Sequence, residues 1–300
     1  MKRYVDIVLV IPAGPGTSPV FLADTIMSFI HYTASTYQVI VIDDSGQDLG
    51  RKVQQSIPEV EVLYNKKPSG AWAGLYVSLA GAFSYALEKY QFKLLMKMDT
   101  DALVIGPEPE KEAFELFSSN TSLGIAGQYK FDYSGKPWDI GWPRDRILNG
   151  ATTWKFIRRP LPNAVLRKLY IKAAQNGYIA GESVFGGSCF YSHSLLLTLH
   201  QHKLLPNKLL GQLNLGEDHI FSLLTKAVGF DLDDLSLPGL PLALAWKELP
   251  ASPEQLYAEH KKVIHSTRKW EEMDEEQIRN FFKEKRQSQN SISSSILTVE

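Results

Sequence analysis

Short apolar runs alternate with longer amphipathic runs through the first hundred residues, and this alternation restricts the possible folds more than any other feature. Short apolar runs predict strands over 6–11, 39–42, 61–64 and 93–98. Helical spacing between them predicts helices over 21–33, 50–56 and 72–90. Because strands that alternate with helices are typical of βαβ units, the sequence predicts a mixed α/β fold with a mostly parallel central sheet flanked by helices.

The pattern becomes less regular after residue 101. We expect strands over 123–128 and 189–191, and helices over 111–118, 163–175, 193–202, 217–227, 253–264 and 271–286. The stretch 129–160 is too long and irregular for a simple connector. Its Trp138, Trp142 and Trp154 fit either a carbohydrate-binding lid or the packing of a second sheet.

These patterns predict one catalytic domain over 1–250, with a nucleotide-binding half over 1–105 and an acceptor half over 106–250. A helical C-terminal extension is expected over 251–286. The Ser- and Asn-rich tail over 287–300 is expected to be disordered.

Charge and cysteine content narrow the function. The 32 basic and 33 acidic residues give a net charge of −1, which provides no broad field for nucleic acid or an anionic membrane. The single Cys189 cannot form an intramolecular disulfide, so we expect a cytoplasmic protein. The apolar run 7–11 is interrupted by Asp6 and Pro12, unlike a secretory signal, and no segment is long enough to span a bilayer. Peripheral membrane association stays open.

Polar residues follow three of the predicted strands. The first strand enters the loop Pro12-Ala13-Gly14, and two others end in Asp43-Asp44 and in Asp99-Thr100-Asp101. In parallel α/β sheets the ligand crevice lies beyond the carboxyl ends of the strands, so these groups are expected to face one crevice. Paired carboxylates suit a hard divalent ion that takes substrate phosphates as further ligands.

Four segments, taken together, resemble the GT-A type glycosyltransferases, and most of all the family-2-like inverting enzymes that use nucleotide-diphospho sugars. They are Val8-Leu9-Val10-Ile11-Pro12, Val41-Ile42-Asp43-Asp44-Ser45-Gly46, Met98-Asp99-Thr100-Asp101 and Gly216-Glu217-Asp218-His219. Their order and spacing, over about residues 5 to 225, are more specific than any single segment. The resemblance implies a GT-A fold and transfer of a sugar from a nucleotide-diphosphate donor, preferably a UDP-sugar, to an acceptor hydroxyl.

The resemblance also implies roles for residues on the donor side. Asp43 or Asp44 would contact the base and ribose, although an Asx-turn is the alternative for either residue. The loop Pro12-Ala13-Gly14 would lie close to the donor. Lys66 and Gly70 would lie near the nucleotide, with a solvated Lys66-Lys67 pair as the alternative. Gly187 and Ser188 would lie beneath the donor sugar, or else belong to a glycine turn that enters a strand.

The same resemblance implies the catalytic groups. Asp218 would take the proton from the acceptor hydroxyl, and Glu217 would position the acceptor. Asp99 and Asp101 would bind Mn²⁺ or Mg²⁺, with Asp99 also near the diphosphate. His265 would complete the metal site, although His260 and a plain surface histidine are alternatives. Arg268 and Lys269 could instead contact the diphosphate.

Two other functions fit the same chain. A nucleotidyltransferase would share the sheet and the metal-diphosphate chemistry but has no evident use for Asp218 as a base. A catalytically inactive GT-A domain could bind a nucleotide or a glycan, or act as a scaffold. A dinucleotide-binding dehydrogenase is disfavoured, because Gly14-Pro15-Gly16 does not open a Gly-x-Gly-x-x-Gly helix.

Overall fold

The computed structural model describes residues 2–65, 68–70, 72–153 and 157–296. Its strands are β1 (Arg3–Tyr4), β2 (Ile7–Ala13), β3 (Tyr37–Asp43), β4 (Glu61–Tyr64), β5 (Tyr90–Gln91), β6 (Leu94–Met98), β7 (Ala102–Val104), β8 (Leu123–Tyr129), β9 (Val184–Ser192), β10 (Asp231–Asp234), β11 (Leu242–Leu244), β12 (Val263–His265), β13 (Lys269–Trp270) and β14 (Met273–Asp274). Its helices are α1 (Pro19–Tyr32), α2 (Leu49–Ser56), α3 (Ala73–Lys89), α4 (Lys111–Ser119), α5 (Gly141–Ala151), α6 (Pro160–Gln175), α7 (His193–Gln201), α8 (Glu217–Ala227), α9 (Pro253–Ala258) and α10 (Glu275–Ile296).

Seven strands form the central sheet in the order β10-β8-β9-β6-β2-β3-β4. All neighbouring pairs are parallel except those that β9 makes with β6 and β8. Helices cover both faces: α3 and α8 contribute to one apolar core, and α1 and α2 to the other. The predicted mixed α/β class with a mostly parallel sheet is therefore confirmed.

A three-stranded sheet joins the C-terminal part of the chain to the central one. Its order is β11-β12-β7, and the antiparallel pairing of β12 with β7 places His265 opposite Ala102. The sequence prediction of a helix over 253–264 is wrong in its second half, since α9 ends at Ala258 and β12 follows. Val263 and Ile264 are β-branched and fully buried, which favours the strand.

Two further elements differ from the sequence expectations. Helix α5 lies within the stretch expected to be irregular, and its Pro143 falls in the first turn, where proline is tolerated. Helix α10 continues to Ile296, whereas the sequence predicts disorder from 287. The proposed domain boundaries stay predictions. None of the helices in the described part of the chain combines the length and the apolar character needed to cross a membrane.

Candidate functional site

Asp99, Asp101 and His265 bring their ligand atoms together at the carboxyl end of β6. One ligand atom from each residue lies within 4.8 Å of the other two. His265 Nε2 is 3.3 Å from an Asp101 oxygen and 3.7 Å from an Asp99 oxygen. The pairing of β12 with β7 explains the convergence, because β7 begins directly after Asp101. His260 is exposed at the turn after α9 and does not belong to the cluster.

Each member of the cluster is held by a second partner that leaves one atom facing the centre. Lys97 Nζ binds Asp99 Oδ1 at 2.6 Å, and Asp99 Oδ2 is the oxygen near the imidazole. Ser266 Oγ donates to Asp101 Oδ2 at 2.7 Å, while Asp101 Oδ1 faces His265. His265 Nδ1 lies 2.7 Å from the Ala245 carbonyl oxygen. Since a carbonyl only accepts, Nδ1 carries a proton, and Nε2 is the ring nitrogen that faces the carboxylates.

The charges in the cluster stabilise one another. Burial alone would raise the pKa of Asp101, but the charge and hydrogen bond of His265, with Ser266 and Arg268, hold it well below its usual range. Burial would lower the pKa of His265, yet Asp101 and Asp99 raise it. Two carboxylates and an imidazole form a donor set suited to Mn²⁺, and the arrangement of their partners fits such an ion.

Lys97 is the functional-site residue that sequence reasoning missed. It is 1% exposed and lies inside β6. Its ammonium group binds Asp99, donates to the Gly186 carbonyl oxygen and lies 3.7 Å from Glu217 Oε1. Burial opposes the charge, but Asp99 and Glu217 raise the pKa of Lys97, so it stays an ammonium. Lys97 thus links the acid pair after β6 to the acid pair that opens α8.

Glu217 and Asp218 occupy the first turn of α8. Burial is the main cause that raises the pKa of Glu217 to about 7, with Asp218 and Asp99 adding to it and Lys97 opposing it. The Asp218 side chain is 19% exposed, and its Oδ1 accepts from the His219 backbone N–H at 2.8 Å. The side chain of Asp218 is therefore accessible. Its neighbour Glu217 is connected through Lys97 to the cluster of Asp99, Asp101 and His265.

Gly186 and Gly187 make room for these side chains. A Cβ on Gly186 would lie 2.7 Å from Glu217 Oε1, and one on Gly187 would lie 2.7 Å from His265 Nδ1. Both glycines and Ser188 lie within β9 rather than in a turn before it. The Ser188 hydroxyl is fully buried and has no hydrogen-bond partner among the described residues. The predicted donor contacts of Gly187 and Ser188 remain predictions.

The carboxylates after β3 accept hydrogen bonds from their own loop and from the loop after β4. Asp43 accepts from Ser45 N at 3.0 Å, from Ser45 Oγ at 2.6 Å and from Gly50 N at 2.8 Å. This is the Asx-turn that the sequence left open, extended by a cap on α2. Asp44 accepts from Asn65 Nδ2 at 2.7 Å and from Ser69 N at 2.9 Å. Both residues lie at the same sheet edge as Asp99, because β2 pairs in parallel with β3 and with β6.

Three further predicted donor contacts, Pro12, Ala13 and Gly14, stand at this edge. Pro12 and Ala13 end β2, and a Cβ on Gly14 or on Gly70 would meet nothing within 4 Å. Their backbone therefore has open space beside it. Lys66 lies outside the described residues. Arg268 binds Asp101 Oδ2 at 2.8 Å with its side chain 64% exposed, so its guanidinium stands at the rim of the cluster.

Trp138 and Trp142, from the stretch 129–160, lie next to the site. The Trp138 ring stacks on Phe185 at 5.6 Å, and Phe185 contacts the His265 ring at 5.5 Å. Trp142 lies 6.1 Å from the His219 ring and 5.1 Å from Trp72. Trp154 lies outside the described residues. The stretch that carries these rings therefore borders both acid pairs.

Comparisons with known proteins leave the family open. No family model matches the chain, and no curated protein matches it either. The solved structures that are similar to it include the following two. One is "Mannosyltransferase PcManGT from Pyrobaculum calidifontis in complex with GDP-Man and Mn2+", at 12% identity and a TM-score of 0.46, covering 78% of this chain and 56% of that one.

The other is TarS 1–349 from S. aureus, at 13% identity and a TM-score of 0.43, covering 77% of this chain and 58% of that one. The chain thus spans less than two thirds of either structure.

Proposed function

We propose that this protein is a metal-dependent GT-A glycosyltransferase that moves a sugar from a nucleotide-diphosphate donor, preferably a UDP-sugar, to an acceptor hydroxyl. The observation that carries the proposal is the meeting of Asp99, Asp101 and His265 at one end of β6. Lys97 contacts both Asp99 and Glu217, and Asp218 is the residue after Glu217. A cation-binding group and an accessible carboxylate at one edge are what such a transfer requires.

Asp99 Oδ2, Asp101 Oδ1 and His265 Nε2 would hold Mn²⁺ or Mg²⁺. The ion would supply neutralisation of the negative charge that develops on the diphosphate leaving group. Arg268, at the rim of the cluster, would add a guanidinium to the same oxygens. The open backbone at Gly14 and Gly70 would face the nucleotide, and Asp44 would support it by holding the loop at Ser69.

Asp218 would act as the general base. Its carboxylate would take the proton from the acceptor hydroxyl while the oxygen attacks the anomeric carbon and the bond to the diphosphate breaks, with inversion. Glu217, with a pKa near 7, would hold the acceptor through its second oxygen while Lys97 fixes the first. The exposed rings of Trp142 and Trp72 would offer flat apolar faces to sugar rings. With its single buried Cys189, the enzyme would work in the cytoplasm.

Donor hydrolysis tests this function without knowledge of the acceptor. Purified protein is incubated with a panel of UDP- and GDP-sugars in Mn²⁺, in Mg²⁺ or in EDTA, and release of UDP or GDP is measured. We expect release from at least one donor that EDTA abolishes and Mn²⁺ restores. Metal-dependent UDP binding without any turnover would contradict the enzyme and favour a binding module. Diphosphate release from a nucleoside triphosphate and a sugar phosphate would favour a nucleotidyltransferase.

A further inference from the structure

A cavity of about 290 Å³ lies between α5, α6 and the segment that leads into α8. Arg146, Arg158 and Arg159 line it, and none of its described lining residues is acidic. This is an unusual charge balance for a chain whose net charge is −1. Arginine guanidinium groups present several N–H donors in a planar fork that matches the oxygens of a phosphate. The cavity thus has the charge of an anion site.

Two of the three arginines lack an acidic partner in the part of the chain that the structure describes. Neither Arg146 nor Arg159 has a carboxylate within salt-bridge distance among the described residues. Arg146 instead lies over the Trp142 ring, 5.3 Å from its centre, and Arg159 donates one N–H to the Gln212 carbonyl oxygen. Both contacts orient a guanidinium and leave most of its donors available. Arginines that line one cavity with no acidic residue among its described lining give it a positive potential that attracts anions.

The rest of the lining suits an organic phosphate. Asn149 and Asn214 bring amide groups that can bind hydroxyls, and Leu166, Leu213 and Leu215 supply apolar surface. A cavity with a cationic side, amides and an apolar floor can hold a phosphate together with part of the molecule that carries it.

The cavity adjoins the proposed catalytic centre. Leu215 lines it, and Asp218 follows three residues later, so their Cα atoms lie at most roughly 11 Å apart. Trp142, one turn before Arg146 on α5, reaches the ring of His219 next to the proposed base. A ligand held by the arginines would therefore lie near Asp218.

We propose that this cavity binds the phosphate group of a phosphate-bearing acceptor and so orients the acceptor hydroxyl toward Asp218. The phosphate site stands on the cavity itself, whereas its role for an acceptor rests on the proposed function. The source is a soluble phosphate ester or a lipid headgroup. A second cavity that shares Arg159 is lined by Pro160, Leu161 and Leu209, which provides apolar surface beside the phosphate site.

Metal-free binding of glycerol 3-phosphate tests the site without any catalysis. Isothermal titration calorimetry in EDTA compares the wild type with the R146Q/R159Q double variant. R167Q is the matched control, because Arg167 is an exposed arginine of α6 that does not line the cavity. We expect the double variant to bind at least about tenfold more weakly and R167Q to match the wild type. Equal affinity in the wild type and the double variant, or no binding by the wild type, would overturn the proposal.

Vesicle flotation separates the two sources of phosphate. Binding to phosphatidylcholine vesicles that contain phosphatidic acid, lost in R146Q/R159Q and kept in R167Q, supports a lipid headgroup. Calorimetric binding of glycerol 3-phosphate without flotation supports a soluble ester. The arginines are exposed, so the variants should fold, and each single variant, R146Q and R159Q, provides a second test with a smaller loss of affinity.

Donor hydrolysis by the same proteins keeps the two proposals apart. Weaker phosphate binding with unchanged hydrolysis in R146Q/R159Q supports an acceptor subsite. No hydrolysis by the wild type, with phosphate binding that still depends on the arginines, overturns the acceptor role together with the proposed function and retains the phosphate site. Hydrolysis lost only in the double variant contradicts a site that serves the acceptor alone.

Discussion

The acid pair at 43–44 and the acid pair at 99–101 stand at the ends of the two strands that flank β2, but their carboxylates have different partners. The carboxylate of Asp43 accepts from its own loop and from the first turn of α2, and that of Asp44 accepts from Asn65 and Ser69 in the loop after β4. Asp99 and Asp101 instead meet Lys97, His265 and Arg268, of which the last two come from the far end of the chain. Neutral donors occupy the oxygens of Asp43 and Asp44, whereas the distant basic groups orient Asp99 and Asp101 and leave one oxygen of each for a ligand.

The groups that face a pair of carboxylates, and not the carboxylates alone, determine whether the pair can bind a cation. Both pairs lie at one sheet edge, and both are Asp-rich segments after buried strands. Only the pair after β6 is joined to α8, through the buried ammonium of Lys97. Substitutions in the two regions should therefore change different quantities, and the following predictions test that separation.

The largest expected effect follows from D218N. Loss of a positioned general base should lower kcat for transfer by about 10²- to 10⁴-fold, while the affinity for the donor and for Mn²⁺ stays unchanged. Steady-state kinetics and donor-binding calorimetry measure the two. D145N is the matched control, because the Asp145 carboxylate is exposed on α5. Unchanged transfer by D218N would remove the base assignment.

The next effect comes from K97M, which removes the ammonium between the acid pairs. We expect an affinity for Mn²⁺ about 10- to 100-fold weaker, because Asp99 loses the partner that orients it. K261M is a matched control: Lys261 is also buried but donates to the Leu240 carbonyl oxygen, away from the cluster. K97M and K261M should both lose stability, so only the change in metal affinity separates them. Equal Mn²⁺ affinity in both variants would show that Lys97 is merely structural.

A smaller effect concerns the pH dependence of stability in E217Q. The pKa of Glu217 is raised to about 7 in the folded protein, from an ordinary value of 4.5, so the folded state holds this proton more tightly than the unfolded state. The stabilisation that this bound proton gives the folded state is complete below about pH 4.5 and is lost as the pH rises through 7. Glutamine stays neutral, so E217Q should gain about 3 kcal/mol relative to the wild type between pH 4.5 and pH 8. Urea unfolding at several pH values measures the gain, and a difference that does not vary with pH would contradict the burial of this charge.

The smallest effect, from D43N, tests the other side of the comparison. Asparagine has one neutral acceptor oxygen in place of two charged ones, so the hydrogen bond from the Gly50 N–H is lost or weakened. The free energy of unfolding should therefore fall by about 1 kcal/mol. The affinity for Mn²⁺ should not change. Urea unfolding and metal titration on the same preparation provide both values. Weaker Mn²⁺ binding with unaltered stability would reverse the roles assigned to the two acid pairs.

The sequence predicts the sheet well because its buried strands and amphipathic helices have strong local periods. The predicted strand over 61–64 coincides with β4, and the predicted helix over 217–227 coincides with α8. Helix α5 is missed, because tryptophan, glycine and proline obscure its period. The two halves of 253–264 separate because β12 is stabilised by pairing with β7 and β11, contacts that no local pattern encodes.

The candidate site is predictable where its residues form short local motifs. Asp99, Asp101, Glu217 and Asp218 stand in recognisable segments, but the position of His265 depends on strand pairing across more than 150 residues. Lys97 escapes sequence reasoning because it sits in an apolar run that indicates a strand and nothing more. Its only sequence signal is a lysine in a run expected to be fully buried, where an ammonium needs a partner.

Anomalous diffraction at the manganese edge, from crystals grown with MnCl₂ and UDP, would locate the cation itself. We predict one strong peak bounded by Asp99, Asp101 and His265, on the side of the cluster away from Lys97 and Ser266. A peak at the Asp43–Asp44 loop instead, or no peak at the cluster in a protein whose donor hydrolysis requires Mn²⁺, would show that these three residues are not the metal site.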